Sequence, residues 1–244
     1  MIKLENVSMK FNLAEDKVSN LKDYMIKLVK GEIKYTEFWA LKNISVEVKK
    51  GEILGIIGRN GAGKSTLLKI AAGVMKPTSG TAERRGAVAP MLELGAGFEG
   101  ELTARENVYL NGALLGYTEN FINEKYDEIV DFSGLNDFMD TPVRNFSSGM
   151  AARLAFSINS LVTPDILIVD EVLAVGDEEF KQKSYIKMIE LISGGATVVF
   201  VSHGIEQVKQ LCKRALWLDK GVMKAIGESE RICDLYMESF INEK

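Results

Sequence analysis

The chain has 244 residues, 46% of them hydrophobic, which is enough for one large domain or for two lobes that share a core. Its 30 basic and 34 acidic side chains give a net charge of −4, which argues against an extended nucleic-acid interface because such surfaces are basic. Cys212 and Cys233 are too few for a disulfide framework, so we expect a reducing, cytosolic environment.

The amino-terminal stretch MIKLENVSMKF alternates polar and apolar residues, which predicts a strand and not a signal peptide. No run in the sequence approaches the roughly 20 apolar residues that span a bilayer. We therefore expect any action at a membrane to depend on a partner protein.

The predicted elements alternate between strands and helices. Strands are expected at 2–11, 44–48, 52–57, 81–89, 166–169 and 197–201, and a hairpin at 215–227. Helices are expected at 64–72, 148–161, 178–192 and 205–212, and through most of 102–138 with breaks at Gly112, Gly116 and Gly134. This alternation around short apolar strands predicts an α/β fold with a mostly parallel sheet.

The segment between the first two strands is unusual. Leu21, Met25, Leu28 and Val29 fall on one helical face. One interpretation is a surface helix that lies on the domain. The other is an element that touches a membrane partner or the lipid headgroup zone. Both interpretations stay open.

The strongest motif is GRNGAGKST at 58–66, which fits the phosphate-loop pattern between a predicted strand and a helix. Its glycines let backbone N–H groups surround phosphates at the positive end of the helix. We expect Lys64 to contact the β- and γ-phosphates of ATP and the Ser65 hydroxyl to ligate Mg²⁺. The expected nucleotide-binding residues of the loop are Gly58, Arg59, Asn60, Gly61, Ala62, Gly63, Lys64, Ser65 and Thr66.

Acidic and basic side chains follow two apolar strands. Asp170 ends the ILIV strand, where we expect it to hold the metal and its water, and Glu171 is placed to activate the attacking water. His203, the only histidine, follows the TVVFVS strand. Because strand ends of this kind meet at one crevice, we expect His203 to contact the γ-phosphate.

A second phosphate-seeking turn occurs in NFSSGMAARL at 145–154. The Ser147 hydroxyl and the backbone amides of Ser148 and Gly149 are expected to face an anion at a helix start. No acid or base accompanies them, so they are suited to holding a γ-phosphate. We expect a two-fold homodimer in which each serine turn closes the ATP of the other subunit.

Together, the phosphate loop, FSSGM, ILIVDE, AVGD and SHG resemble the ATP-binding subunit of an ABC transporter along essentially the whole chain. The resemblance implies one domain over 1–244, with a mostly parallel core, an N-terminal antiparallel β lobe and a helical lobe at about 95–160. It implies that Asp177 runs along the dimer interface. It also implies that Phe11 stacks on adenine, with Phe38 and Trp39 as competing candidates.

Two positions depart from the family pattern. FSSGM stands where most relatives have two glycines and a glutamine, so Ser148 adds a side chain close to the phosphate. MLELGAGFEGELTAREN lacks the glutamine that contacts Mg²⁺ in the family, and Glu93 is the nearest replacement as a metal contact.

LELGAGF and LTARENVYLNGALLG look most like ATPases that export cell-surface polysaccharide, such as O-antigen, capsule or teichoic acid. The resemblance implies an ATP- and Mg²⁺-dependent ATPase that acts with a polytopic transmembrane permease at the cytoplasmic face of the membrane. Some members carry a further C-terminal carbohydrate-binding domain, and whether one is missing here stays open. Export of a lipid or drug, and a non-transport role in DNA repair or translation, are the alternatives.

Overall fold

The computed structural model describes residues 1–14, 35–92, 94–170, 176–202 and 204–241. Its strands are β1 (Ile2–Ala14), β2 (Tyr35–Val48), β3 (Ile53–Ile57), β4 (Ser79–Arg84), β5 (Val88–Met91), β6 (Ile166–Asp170), β7 (Thr197–Val201), β8 (Arg214–Asp219) and β9 (Val222–Glu228). Its α-helices are α1 (Lys64–Ala72), α2 (Ala104–Leu114), α3 (Glu119–Ser133), α4 (Ser148–Asn159), α5 (Glu178–Ser193), α6 (Ile205–Leu211) and α7 (Ser229–Ile241). Short 3₁₀ turns at Asn136–Phe138 and Val143–Asn145 link α3 to α4.

Within the described residues the strands form two sheets. One has the order β2-β1-β4, and its pairs are antiparallel. The other has the order β5-β6-β7-β3-β8-β9, in which only the β8–β9 pair is antiparallel. The expected α/β architecture, with a mostly parallel core and an N-terminal antiparallel lobe, is therefore confirmed.

The central strands of the larger sheet are buried on both faces. In β6, Ile166 and Ile168 face the core that the antiparallel sheet and α1 cover, whereas Leu167 and Val169 face the opposite core. Both faces are apolar because helices or a second sheet cover each of them. This double burial explains why ILIV and TVVFV are continuous apolar runs without alternation.

The helices α2, α3 and α4 form a third cluster, inserted in the chain between β5 and β6. Its fully buried residues include Val108 on α2, Ile129 on α3 and Leu154 on α4. Thr103 begins α2 with a capping box, in which its side chain and that of Glu106 each accept the other residue's backbone N–H. The three helices thus form a lobe between β5 and β6 in the chain.

The prediction of one strand over 81–89 is wrong. Residues up to Arg84 pair with β1 in the antiparallel sheet, whereas Val88–Met91 pairs with β6 in the parallel sheet. Gly86 separates the two strands with φ of 124°, a conformation that residues other than glycine rarely adopt. The glycine lets the chain change sheets within three residues.

Several smaller expectations need correction. Gly112 does not break the helix but lies inside α2, where an added Cβ would stand 2.5 Å from the Ile122 side chain. Gly116 and Gly134 do follow α2 and α3, both with positive φ. The helix from Ser148 ends at Asn159 and not at residue 161. The helix α7 was not predicted at all.

The unusual segment after β1 lies mostly outside the described residues, including Leu21, Met25, Leu28 and Val29. The described residues at its two ends are strand: Leu13 pairs with Thr36 and Phe11 pairs with Phe38 in the antiparallel β1–β2 pair. Among the described helices, none has the length and apolar character needed to cross a bilayer.

Candidate functional site

The phosphate loop joins the end of β3 to the start of α1, and its path requires glycine. Gly58 has φ of 152°, and Gly63, which precedes α1, has φ of 102°. A Cβ on Gly63 would stand 2.5 Å from the Ala40 carbonyl oxygen, too close for any real side chain. Only a residue without a side chain therefore fits between the loop and β2 at position 63.

The hairpin between β8 and β9 supports this loop from behind. The Gly221 N–H donates to the Ala62 carbonyl at 2.9 Å, and the Gly221 carbonyl accepts the Lys42 N–H at 2.8 Å. Gly221 thus joins the phosphate loop to β2 with two backbone hydrogen bonds. Its φ of 78° is suited to the tight turn that makes this possible.

The Lys64 side chain is buried inside the loop. Its Nζ donates to the Gly58 carbonyl at 2.8 Å and to the Arg59 carbonyl at 3.1 Å. A buried ammonium needs hydrogen-bond acceptors, and these carbonyls supply two. The charge is therefore held where the loop's N–H groups and the helix start already favour an anion.

Ser65 and Asp170 meet at the mouth of the loop. The Ser65 hydroxyl donates to an Asp170 carboxylate oxygen at 3.1 Å, although 105 positions separate them in the chain. A hydroxyl and a carboxylate side by side are the hard oxygen ligands that Mg²⁺ prefers, and nucleotide phosphates usually complete such a site. The residues therefore fit Mg²⁺, even though no cluster of three or more His, Cys, Asp or Glu occurs in the described part of the chain.

A cavity of about 620 Å³ opens over the loop, a size that suits a nucleotide. It is lined by Phe11, Phe38, Ala40, Asn60, Gly61, Gly63, Lys64, Ser65, Thr66 and Asp170. The structure thus brings two of the candidate adenine-stacking rings, those of Phe11 and Phe38, to the same concave surface as the phosphate loop and the candidate metal ligands. Gly58, Arg59 and Ala62 belong to the same loop but lie outside the lining.

The three candidate aromatic residues do not lie together. Phe11 and Phe38 are cross-strand partners, and both line the cavity. Trp39 does not line it, because successive strand residues face opposite sides of a sheet. Instead, the Lys10 ammonium stands 5.7 Å from the centre of the Trp39 ring. The geometry favours Phe11 and Phe38 over Trp39 as adenine contacts.

The serine turn begins the helix α4. Ser147 is the residue before the first turn, and its hydroxyl oxygen accepts the Met150 N–H at 3.2 Å. That bond fixes the side chain, and the hydroxyl proton stays available to donate to an anion. Ser147 and Ser148 are both exposed, so the positive end of α4 is open to a ligand.

Asp177 begins the helix α5 beside the serine turn. Its carboxylate accepts the Phe180 N–H at 2.9 Å, and this bond, together with the Arg153 guanidinium, holds the pKa of Asp177 below its usual value. A second cavity of about 590 Å³ is lined by Ser147, Ser148, Gly149, Met150, Ala152, Arg153, Gly176 and Asp177. This cavity and the one over the phosphate loop have no lining residue in common.

Three expected site residues lie outside the described residues. They are Glu171 and His203, assigned to water activation and the γ-phosphate, and Glu93, the replacement for the missing glutamine. Their roles stay predictions. The strands before Glu171 and His203 are β6 and β7. They are parallel neighbours, and their last residues, Asp170 and Val201, are paired.

Sequence reasoning missed two residues that position the site. Gly221 supports the phosphate loop, and it lies in the hairpin that the sequence predicts at 215–227, but its contact with the loop is long-range and has no local signal. Arg153 joins the helix of the serine turn to Asp177 at 3.1 Å. No local pattern indicates that contact, because 24 positions separate the two residues.

The sequence and the structure both resemble known proteins. The ABC transporter profile matches residues 41–174. The O-antigen export system ATP-binding protein RfbB of Klebsiella pneumoniae is 44% identical, over 98% of each chain. The teichoic acids export ATP-binding protein TagH of Bacillus anthracis is 43% identical over 97% of this chain, which spans 42% of that longer protein.

Solved structures with this fold have lower sequence identity. The ATP-binding cassette MJ0796, in a dimeric post-hydrolysis state with ADP and phosphate, superposes with a TM-score of 0.71. It is 23% identical and covers 94% of this chain and 99% of its own. An ATP-binding subunit of an ABC transporter superposes with a TM-score of 0.72 at 21% identity, over 97% of this chain and 93% of its own. At these identities the likeness establishes the fold.

Proposed function

The chain belongs to the ABC transporter family, and from this membership we propose that it binds and hydrolyses ATP to drive export of a cell-surface polysaccharide through a separate permease. The observation that carries the ATPase proposal is the meeting of Ser65 and Asp170 at 3.1 Å beside the buried Lys64. Phosphoryl transfer depends mainly on positioning and charge neutralisation, and this arrangement supplies both.

ATP would lie in the cavity over the phosphate loop, with adenine against Phe11 and Phe38 and the phosphates at the start of α1. Lys64 would exchange its carbonyl partners for phosphate oxygens. Ser65 and Asp170 would hold Mg²⁺, which neutralises charge on the phosphates when bound. Glu171 would orient and deprotonate the attacking water, and His203 would contact the γ-phosphate.

We further propose that the working unit is a homodimer that encloses ATP between its subunits. The phosphate loop and the serine turn line separate cavities, so one subunit offers an incomplete set of phosphate contacts at each. A two-fold dimer would bring Ser147, Ser148 and Gly149 of one subunit against the γ-phosphate held by the other. The dimeric state of the cassette MJ0796 supports this arrangement.

The polysaccharide substrate is proposed from the relatives. RfbB and TagH are named for export of O-antigen and of teichoic acids, two chemically different surface polymers. We propose that this chain acts at the cytoplasmic face of the membrane with a polytopic permease. The helices around α2 would transmit closure of the dimer to the permease.

Deleting the gene tests the transport proposal. We expect the polysaccharide to disappear from the cell surface and accumulate inside, with recovery on return of the wild-type gene but not of Lys64→Ala. An unchanged surface polysaccharide would contradict the proposal. Purification from membranes adds a second test, because we expect a polytopic protein to accompany the chain. Salt-sensitive capture of nucleic acid in its place would instead indicate a non-transport role.

A further inference from the structure

The last helix of the described chain contacts the phosphate loop through one aromatic ring. Phe240, near the end of α7, faces Arg59, the second residue of the loop. The central carbon of the Arg59 guanidinium stands 4.7 Å from the centre of the Phe240 ring. That distance is within the range of cation–π attraction, in which the face of the ring holds the positive charge.

Phe240 is one end of an aromatic row that leads back into the sheet. Its ring meets Tyr236 edge to face at 4.9 Å, and Tyr236 meets Trp217 edge to face at 5.7 Å. Trp217 lies on β8 and pairs with Ile57, the residue before the phosphate loop. The row therefore connects Arg59 to β8, the strand that pairs with the end of β3 just before the loop.

The same helix is firmly attached to the domain. Ile232 and Cys233 on α7 are buried, and the Asp234 carboxylate accepts a hydrogen bond from the Lys209 ammonium of α6 at 2.7 Å. The charge of Arg59 also reaches Tyr236: burial raises the pKa of the Tyr236 phenol, and the guanidinium partly opposes that rise. Both Tyr236 and Phe240 thus lie close to Arg59.

The backbone of Arg59 matters for the phosphate site. Its carbonyl oxygen accepts the Ala62 N–H at 3.1 Å and the Lys64 ammonium at 3.1 Å. Restraining the Arg59 side chain therefore restrains the carbonyl that closes the loop and helps to place Lys64. Arg59 belongs to the phosphate loop, and no local sequence pattern explains an arginine at this position.

We propose that Phe240 is a positioning residue for nucleotide binding: its ring holds the Arg59 guanidinium, and α7 thereby keeps the phosphate loop in its binding conformation. The inference rests on the proposed function, since it assumes that the loop binds ATP. It gives the C-terminal helix a role in the affinity for nucleotide without any direct contact between Phe240 and ATP.

The test measures ATP affinity of the full chain by calorimetry, with Mg²⁺ present. We expect Phe240→Ala to weaken binding by about 2- to 5-fold, the change that loss of one exposed cation–π contact implies. Phe240→Tyr should keep the affinity because it keeps the ring. Phe240→Leu should behave like the alanine variant, since leucine fills similar space but has no aromatic face.

A double-mutant cycle separates this contact from general packing. In an Arg59→Ala background, the additional change Phe240→Ala should cost nothing further, because the partner charge is already gone. Hydrogen exchange at residues 58–63 should be faster in Phe240→Ala than in the wild type. Met237→Ala is the matched control, because Met237 lies on the same helix, is exposed, and should leave both measurements unchanged.

The outcomes distinguish this inference from the proposed function. If the wild type binds ATP and Phe240→Ala or Phe240→Leu binds it equally well, the role of Phe240 is refuted and the proposed function stands. If the wild type does not bind ATP, both are refuted. An equal loss of affinity in Met237→Ala would also refute the inference, because it would indicate general loosening of α7.

Discussion

The guanidinium of Arg153 lies 3.1 Å from the carboxylate of Asp177 and so joins the helix of the serine turn to the start of α5. The same side chain donates from Nε to the Ser133 carbonyl at 3.0 Å and from Nη2 to the Gly134 carbonyl at 3.1 Å. These three bonds bring the end of α3, the start of α5 and α4 to one planar group. Arg153 therefore braces the wall that would face the partner's ATP.

We predict that Arg153→Lys destabilises the protein by about 1–2 kcal/mol, because an ammonium cannot reproduce the planar fork and leaves carbonyls without a donor. Asp177→Asn removes only the ion pair, and asparagine still begins a helix well, so this control should cost clearly less. Urea unfolding at neutral pH measures both. Equal costs for the two variants would contradict this account of Arg153.

A second prediction concerns pH and the start of α2. Hydrogen bonds from the Thr103 backbone N–H and hydroxyl hold the pKa of Glu106 below its usual value. A carboxylate with a lowered folded pKa contributes stability above its unfolded pKa, and the contribution disappears as pH falls through the folded pKa. We therefore expect the capping box to weaken in acid, below about pH 4.3, the ordinary value for glutamate.

Glu106→Gln is the matched variant for this prediction, because glutamine can complete a capping box but does not titrate. The Thr103 amide resonance, followed by NMR from pH 6 to pH 2.5, should shift with pH in the wild type and stay constant in the variant. Identical titration curves for the two proteins would show that Glu106 is not the group responsible.

A third prediction distinguishes the aromatic residues near the nucleotide cavity. We expect Phe11→Ala and Phe38→Ala each to weaken ATP binding by about 1–3 kcal/mol, the value typical of a base stacked on an aromatic ring. Trp39→Ala should leave the affinity nearly unchanged, because Trp39 lies on the other face of β2. Calorimetry with ATP measures all three, and a large loss in Trp39→Ala would reverse the assignment.

A fourth prediction concerns hydrolysis. We expect Glu171→Gln to bind ATP normally but to lower turnover by roughly 10²-fold or more, because the amide cannot accept a proton from water. Lys64→Ala should instead lose ATP binding itself. Near-normal phosphate release by Glu171→Gln would remove Glu171 from the catalytic role.

Strong local signals predicted the core of the site from the sequence alone. The phosphate loop places α1 at 64–72 because glycine conformation, helix start and apolar spacing all act within a dozen residues. The apolar run ILIV predicts a buried strand with Asp170 at its end because both faces of that strand are covered. These features depend on neighbouring residues, which a sequence displays directly.

Features that depend on distant residues were not predictable in this way. The chain changes sheets at Gly86 because strands far along the chain offer partners on both sides, and no local pattern names a partner. Gly112 resembles a helix break, yet it lies inside α2, where an added Cβ would stand 2.5 Å from the Ile122 side chain. The contacts of Arg59 with Phe240 and of Arg153 with Asp177 likewise arise only when the chain folds.

In the proposed dimer the serine turn of one subunit closes the nucleotide bound by the other, and disulfide crosslinking tests this arrangement. Cys212 and Cys233 suit such an experiment because both are buried, and burial raises the pKa of Cys212 to about 12, so few reactive thiolates are present. Ser148→Cys and Asn60→Cys place one thiol on each of two exposed positions, the serine turn and the phosphate loop.

The most direct measurement mixes subunits that carry only Ser148→Cys with subunits that carry only Asn60→Cys, both also Glu171→Gln to slow hydrolysis. With ATP and Mg²⁺, mild oxidation should join the two kinds of subunit into a covalent dimer, and omission of ATP should abolish that product. A mixture that stays monomeric with ATP bound would contradict the shared site. So would a chain that carries both Ser148→Cys and Asn60→Cys and forms the disulfide only within itself.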